Sequence, residues 1–351
     1  MDIETKIDLI TRSPIEEVIT LEDLRKLLET KTKITAYDGF EPSGLLHLGS
    51  GILRAIKIDD LLKANINFIL WIADWFAWIN DKLGGNLNLI RKVGDYTIEG
   101  WKACGVDTKK VKVLWSSDAA NNHEYWEGVI KIAKLTTINR SIRASSIMGR
   151  KEAEMEYTAQ LFYPIMQAFD PFYFGADILQ LGMDQRRATI LSRELAPQID
   201  KSIKVSILHH LLVGLQGKQR MGPAESKMSK SVAKSAIFIH DTRDQIKEKI
   251  NSAFCSPKVI DDNPILEIWK YIIFRKINSK SVKRKDKSKL ELQSYEELEN
   301  AYRKGDLHPA DLKIETIEIL DEILKPIREY FEKNKKAREL YETVKKAEIT
   351  R

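Results

Sequence analysis

Two short, widely separated stretches carry residue types suited to holding phosphate. The first, "YDGFEPSGLLHLGS" at 37–50, puts three glycines, a proline and one histidine between a strand-like and a helix-like segment. Gly44 and Gly49 let backbone approach a ligand closely, and the helix opening near His47 would aim its first amides at an anion. The second, "KMSKS" at 227–231, sets Lys227 and Lys230 around Met228 and small hydroxyl residues. Two point charges on such a loop suit the clamping of a polyphosphate. Each stretch alone also has a plain reading, as a strand-to-helix connection or a solvated loop. A third, "GMDQ", follows an apolar run. There Asp184 can accept both hydroxyls of a ribose, and Gly182 permits close approach of the sugar or base; equally, Asp184 could only cap the next helix. In "YPIMQAFD", Tyr163, Gln167 and Asp170 fall at i, i+4 and i+7, one face of a helix. Polar groups aligned in so apolar a segment need partners, and a ligand or plain helix packing could supply them. The tryptophans of "WIADWFAWIN" (Trp71, Trp75 and Trp78) read as core and pocket wall, with Ala73 leaving room for a ring.

Strands alternate with helices ahead of these stretches. "LEDLRKLLET" reads as an amphipathic helix, "KITAYDGF" as the first strand, and "LGSGILRAIKIDDLLKAN" as a helix. "NFILWIAD" and "VKVLWSS" read as further strands, separated by "LNLIRKVGDYTIEGWKACG" and followed by the helix "HEYWEGVIKIAK". The sheet resumes at "GADILQLGMD" and "KVSILHH". This alternation implies an α/β, Rossmann-like parallel sheet covered on both faces, with ligands beyond the carboxyl ends of the strands near a topological switch point. A basic, connective insertion over about 118–160 interrupts it. In it, Arg140, Arg143 and Arg150 would cluster if helical, a spacing suited to a phosphate or base edge, although a solvated arginine face fits too. The expected domains are 1–241, ending after the 227–231 loop, and a helical unit, 242–351. The latter holds "RKINSKSVKRKDKSK", eight Lys or Arg in fifteen residues, read as a solvated loop that could touch RNA phosphates.

The 351 residues suffice for about two domains, and 43% hydrophobic content suffices for a core. Net charge of +6 permits nucleic acid as a partner without requiring it. Two distant cysteines, no long apolar run and a charged N-terminus point to a soluble, cytoplasmic protein without membrane, disulfide framework or metal site of its own.

Taken together and in this order, the stretches resemble the class I aminoacyl-tRNA synthetases, whose "HIGH" and "KMSKS" elements bracket ATP. The resemblance covers nearly the whole chain. It is nearest to the archaeal and eukaryotic type of tyrosyl-tRNA synthetase, through "AYDGFEPSGLLHLG", "LFYPIMQAFD", "GADILQLGMDQRR", "KMSKS" and "LHPADLK". The resemblance implies activation of L-tyrosine by ATP, with Mg²⁺ carried on the phosphates, and transfer to tRNA(Tyr). It assigns His47, Lys227 and Lys230 to the phosphates. Gly39, Gly44, Gly49, Gly182, Asp184 and Met228 complete the ATP site. Tyr163, Gln167 and Gln185 would hold the α-ammonium group, and Asp170 and Tyr37 the phenolic hydroxyl. Arg143 and Arg186 match residues that read the first acceptor-stem pair, and Asp311, with His308 beside it, matches a reader of the first anticodon base. Members are homodimers joined through the inserted segment. The chain departs from the pattern at Ser50, where a second histidine is usual, and at "KDKSK", where a stacking aromatic would align. Three rivals remain: a tryptophanyl-tRNA synthetase, a small nucleotidylyltransferase, and an inactive RNA-binding descendant. An indole offers no hydroxyl to Tyr37 and Asp170. A nucleotidylyltransferase would lack "KMSKS" and the helical tail, and the intact motifs argue against an inactive protein.

Overall fold

The computed structural model describes residues 1–150, 152–217, 228, 233–277 and 280–347. Its centre is a six-stranded sheet of β1 (Ile15–Ile19), β2 (Thr35–Phe40), β3 (Asn67–Ile72), β4 (Val111–Trp115), β5 (Ile178–Gly182) and β6 (Val205–His209). The spatial order is β1-β6-β5-β2-β3-β4. Strands β2 to β6 run parallel. The chain winds outward from β2 through β3 to β4, then crosses back to β5 and β6. The switch point therefore lies between β2 and β5, the crevice where such sheets bind ligands.

One strand was not expected. β1 pairs antiparallel with β6, so the sheet is mixed. Its "IEEVI" lacks the alternation of a half-buried strand, and none of its residues is fully buried, which is why periodicity does not reveal it. It covers an edge of β6 that would otherwise be open.

Alternation along the other strands sends neighbours to opposite faces. Ala36, Phe68, Leu70 and Ile207 join one apolar cluster with the helices Arg54–Lys63 and Leu87–Ala103. Tyr37, Ile69, Trp71 and Leu208 join a second with the helices His123–Leu135 and Thr158–Tyr173. The first cluster continues into the C-terminal helices through Ile246, Trp269 and Leu320. The expected division at 241–242 falls where Thr242 caps the helix Arg243–Ser252. Helices Tyr295–Lys304, Pro309–Lys333 and Lys335–Lys345 follow. The basic stretch is not a plain loop, because β7 (Lys280–Lys283) and β8 (Lys289–Leu292) form a hairpin there. Cys104 and Cys255 are both free thiols.

A buried charge hub ties three parts of the chain. Asp60, fully buried, accepts from Arg275 at 2.7 Å and from Arg12 Nε at 3.0 Å, with Lys57 Nζ at 3.7 Å. Burial draws the Lys57 ammonium down to about 7. Asp60→Ala strands these cations in low dielectric, and the expected cost is about 3 kcal/mol or more. Thermal unfolding checks it: an unchanged midpoint contradicts the hub's structural role.

Candidate active site

β2 ends at Phe40 and feeds the loop that holds His47. Gly44 takes a φ of 139°, which favours glycine. Leu48 N–H then donates to Ile237 C=O at 2.9 Å, and Ile239 N–H to Leu46 C=O at 3.0 Å, so the loop is fastened to the segment beyond "KMSKS". The His47 ring folds onto its own helix start, with Nδ1 accepting the Gly49 N–H at 3.1 Å. That leaves Nε2 as the protonated nitrogen of a neutral ring. A Cβ at Gly49 would sit 3.1 Å from the ring, so a side chain there would crowd it. Ser50, the departure from the family pattern, is buried. Its hydroxyl accepts the His47 N–H at 3.0 Å and its carbonyl accepts the Trp101 indole N–H at 2.9 Å. Ser50 braces the turn from inside.

The helix Thr158–Tyr173 aligns Tyr163, Gln167 and Asp170 as its spacing predicts. The Tyr163 hydroxyl donates to Glu41 Oε2 at 3.0 Å, and Gln167 Nε2 to Gln185 Oε1 at 3.0 Å. Deeper in, Asp170 accepts from the Tyr125 hydroxyl at 2.8 Å. Burial raises the Asp170 carboxyl to about 8, with the Tyr125 hydroxyl and the Trp71 indole opposing the rise. The Tyr37 hydroxyl is wholly buried and has no hydrogen-bond partner among the described residues. Its acidity is weakened first by burial and then by the Asp170 charge, which places the two groups in one field. One carboxyl and one orphaned phenol, both buried, ask for a small hydroxyl group. Phe174 packs against Tyr37 at 5.5 Å and meets Trp71 edge-on, with ring centroids 4.3 Å apart. Gly39 lies over the Trp71 ring, where a Cβ would come within 3.4 Å.

Beyond β5, a Cβ at Gly182 would stand 2.7 Å from Asp184 Oδ1, so the glycine lets that carboxylate fold close to the strand end. The Asp184 charge is felt at Asp38, Tyr163 and His209, which places it in the same crevice.

Several of these residues escaped the sequence reading. Glu41 gathers Tyr163 and Asn80 (3.1 Å) at the loop's entrance; its only signal was an acidic residue inside a Gly/Pro-rich turn. Tyr125 reaches Asp170 from another helix, and no local pattern announces it. Asp38 forms a buried ion pair with Arg54 at 2.7 Å, and burial still lifts its carboxyl to about 7.

Other expectations need correction. Only Trp71 belongs to the pocket cluster. Trp75 meets Trp78 edge-on and Trp126 at a tilt, and Trp78 is exposed. The three arginines of the insertion do not form one face, because the helix Ile138–Ala144 stops short of Arg150. Arg140 pairs with Glu194, whereas Arg150 turns to Asn80 Oδ1 at 2.7 Å. Arg143 is exposed, and Arg186 lies on the surface paired with Glu17 at 2.7 Å. Far from the crevice, His308 caps the helix Pro309–Lys333 through Nδ1, and Asp311 accepts the Lys285 N–H of the basic hairpin at 3.3 Å. Lys227 and Lys230 lie outside the described residues. Met228 is packed in the main apolar cluster and its N–H donates to Leu212 C=O at 2.8 Å, so its side chain anchors this point of the segment.

Known proteins are similar to this chain in sequence and fold. Residues 29–325 match the family model described as tRNA synthetases class I (W and Y). The tyrosine–tRNA ligase of Saccharolobus islandicus (strain M.14.25) is 44% identical, with all of both chains covered. That of Sulfurisphaera tokodaii is 43% identical over all of this chain and 99% of its own. Among solved structures, tyrosyl-tRNA synthetase of Pyrococcus horikoshii complexed with L-tyrosine superposes with a TM-score of 0.91. It is 39% identical and covered over 98% of this chain and all of its own. The enzyme from Aeropyrum pernix gives 0.89 at 36% identity, covering 98% and 99%. These full-length matches do not favour the tryptophan alternative. Matched by the family model over 29–325 and by tyrosine–tRNA ligases over its whole length, the chain belongs to the class I tRNA synthetases of the tryptophan and tyrosine group, and within it to the tyrosine–tRNA ligases.

Proposed function

We propose that this crevice activates L-tyrosine with ATP and passes it to the 3′ end of tRNA(Tyr). A tyrosine carboxylate oxygen attacks the α-phosphorus, and the bond to the β-phosphate oxygen breaks with its electron pair leaving on pyrophosphate. A ribose hydroxyl of the tRNA then attacks the adenylate carbonyl, and AMP leaves. No covalent enzyme intermediate is required. Catalysis is positioning and charge stabilisation. His47 Nε2–H, Lys227 and Lys230 are assigned to the phosphates, Mg²⁺ arrives on ATP itself, and Asp184 is assigned to the ribose beside Gly182. Tyr163, Gln167 and Gln185, joined by Glu41, receive the ammonium group. Asp170 and Tyr37 receive the phenol.

The observation that carries this reading is the buried pair of Tyr37 and Asp170, with an orphaned hydroxyl at the pocket's end. Pyrophosphate exchange across all twenty amino acids tests it: tyrosine alone should give strong exchange, and dominance of tryptophan or absence of exchange refutes it.

On the RNA side, Arg143 and Arg186 are exposed enough to meet an acceptor stem, and His308 and Asp311 sit at the other end of the molecule. Arg143→Ala and Arg186→Ala are expected to spare pyrophosphate exchange and to lose about 1–3 kcal/mol of discrimination for a C1–G72 end. Equal charging of C1–G72 and G1–C72 transcripts by the parent overturns that role. Ile130, Leu135, Ile138 and Tyr157 are large apolar side chains exposed on the insertion. They support a homodimer joined there, to be checked by light scattering. No helix among the described residues is long and apolar enough to cross a membrane, and a cytoplasmic location fits the reaction's partners.

A further inference from the structure

The loop that carries His47 is held from behind by groups that reach the last two helices. Leu46, one residue before His47, donates its N–H to the Tyr96 hydroxyl at 3.2 Å. The same hydroxyl bonds His240 Nε2 at 2.8 Å. The Tyr96 oxygen thus accepts from Leu46 and also bonds His240 Nε2, so one hydroxyl joins the loop to His240. Burial pushes the His240 imidazole down to about 3 and keeps Tyr96 protonated, so both remain neutral across the working pH range.

His240 is held on its other side by rings. It stacks on Tyr341 at 3.9 Å between centroids, 23° from parallel, and meets Phe331 edge-on at 4.5 Å. Tyr341 belongs to the helix Lys335–Lys345, and Phe331 to the end of Pro309–Lys333. A separate contact docks these helices on Leu87–Ala103, where the Tyr330 hydroxyl donates to Glu99. Leu87–Ala103 carries Tyr96, Trp101 and Gly100. A Cβ at Gly100 would come within 2.5 Å of the Leu46 side chain, so this helix is pressed directly against the loop.

We propose that Tyr96 and His240 are positioning residues for the ATP-phosphate loop, and that Tyr341 and Phe331 make the two C-terminal helices part of its support. The helix Pro309–Lys333 has His308 and Asp311 at one end and Phe331 at the other. At 1.5 Å per residue it forms a single strut of roughly 36 Å between the RNA-facing end and the backing of His47. The geometry of phosphate capture is thereby set partly by how the C-terminal helices are seated. This inference rests on the reading of His47 as a phosphate-binding residue.

The test uses the full chain and measures adenylate formation against ATP and tyrosine separately, with His47→Ala alongside. Tyr96→Phe deletes the shared hydroxyl. His240→Phe keeps an aromatic ring against Tyr341 and Phe331 but removes Nε2. Tyr341→Leu removes the stack and Tyr341→Phe preserves it. Expected are losses of about tenfold in kcat/KM for ATP in the first three, a tyrosine Kd within about twofold of the parent, and near-parental behaviour for Tyr341→Phe. Folding is monitored by the thermal midpoint, and His240→Phe serves if Tyr96→Phe is unstable. Parental ATP kinetics in Tyr96→Phe and His240→Phe, with His47→Ala impaired, overturn the proposal alone. Equal losses toward ATP and tyrosine also overturn it, since they describe general loosening. Unimpaired His47→Ala overturns the underlying reading of the loop, and the proposal with it.

Discussion

Asp170→Ala combined with Tyr37→Leu is expected to lower the preference for tyrosine over phenylalanine by about 10²-fold or more. In the parent, phenylalanine entering the pocket would leave a buried carboxyl and a buried phenol without the hydroxyl that completes them. Each unsatisfied group costs ~1–3 kcal/mol, more than the hydrogen bond it replaces. The double variant removes both demands, so tyrosine activation falls while phenylalanine and apolar para-substituted analogues gain. Tryptophan is expected to fit poorly still, because Trp71 and Phe174, packed edge-on at 4.3 Å between ring centroids, are unchanged. Pyrophosphate exchange with each amino acid measures the outcome, and an unchanged tyrosine-to-phenylalanine ratio refutes the assignment. The same burial has a stability signature. With its folded pKa near 8, above that of an unfolded aspartate, Asp170 keeps its proton where the unfolded chain has lost it. Its contribution to stability therefore declines as pH rises from about 4 to about 8 and is flat beyond. Asp170→Asn should raise the thermal midpoint at pH 7–8 relative to pH 5, and a midpoint difference independent of pH contradicts it.

The second large effect belongs to the phosphate groups. His47→Ala, Lys227→Ala and Lys230→Ala are each expected to slow adenylate formation by roughly 10²–10³-fold, the magnitude typical of losing a donor aimed at transition-state charge. Tyrosine affinity should barely move, since none of the three side chains is assigned to the amino-acid end. Losses in kcat and kcat/KM should run together, as for an interaction made in the transition state. Stopped-flow adenylate formation decides this. A parental rate in both lysine variants would remove "KMSKS" from the chemistry.

What the sequence revealed was local, and what it concealed was pairing at a distance. The face shared by Tyr163, Gln167 and Asp170 follows from helical spacing alone, and the glycines around His47 announce a backbone approach. The strands β2 to β6 show as apolar runs bounded by polar residues. By contrast, Glu41, Tyr125 and Arg54 matter because of partners on other elements, and a buried polar network leaves no periodic trace. The arginine cluster failed for the complementary reason. A spacing argument holds only while the helix continues, and the helix that starts at Ile138 ends at Ala144, before Arg150. β1 escaped because its stability comes from the neighbour it covers rather than from its own pattern. Ser50 departs from the family pattern, and its hydroxyl and carbonyl are both engaged in bracing the turn.

That edge strand also bears on how the chain is made. Ile15 pairs with His209, roughly 190 residues later, so at ~5–20 residues per second a ribosome takes roughly 10–40 s between them. Through that interval β2, β3 and β4 can assemble in order of emergence, while β1 waits beside them as an unpaired strand. Such a segment invites association with other nascent chains, and charges on it are the usual safeguard. Glu16 and Glu17 supply them. Once β6 arrives, Glu16 engages His210 and Glu17 engages Arg186. The residues that keep the waiting strand in solution are the ones that dock it when the sheet closes.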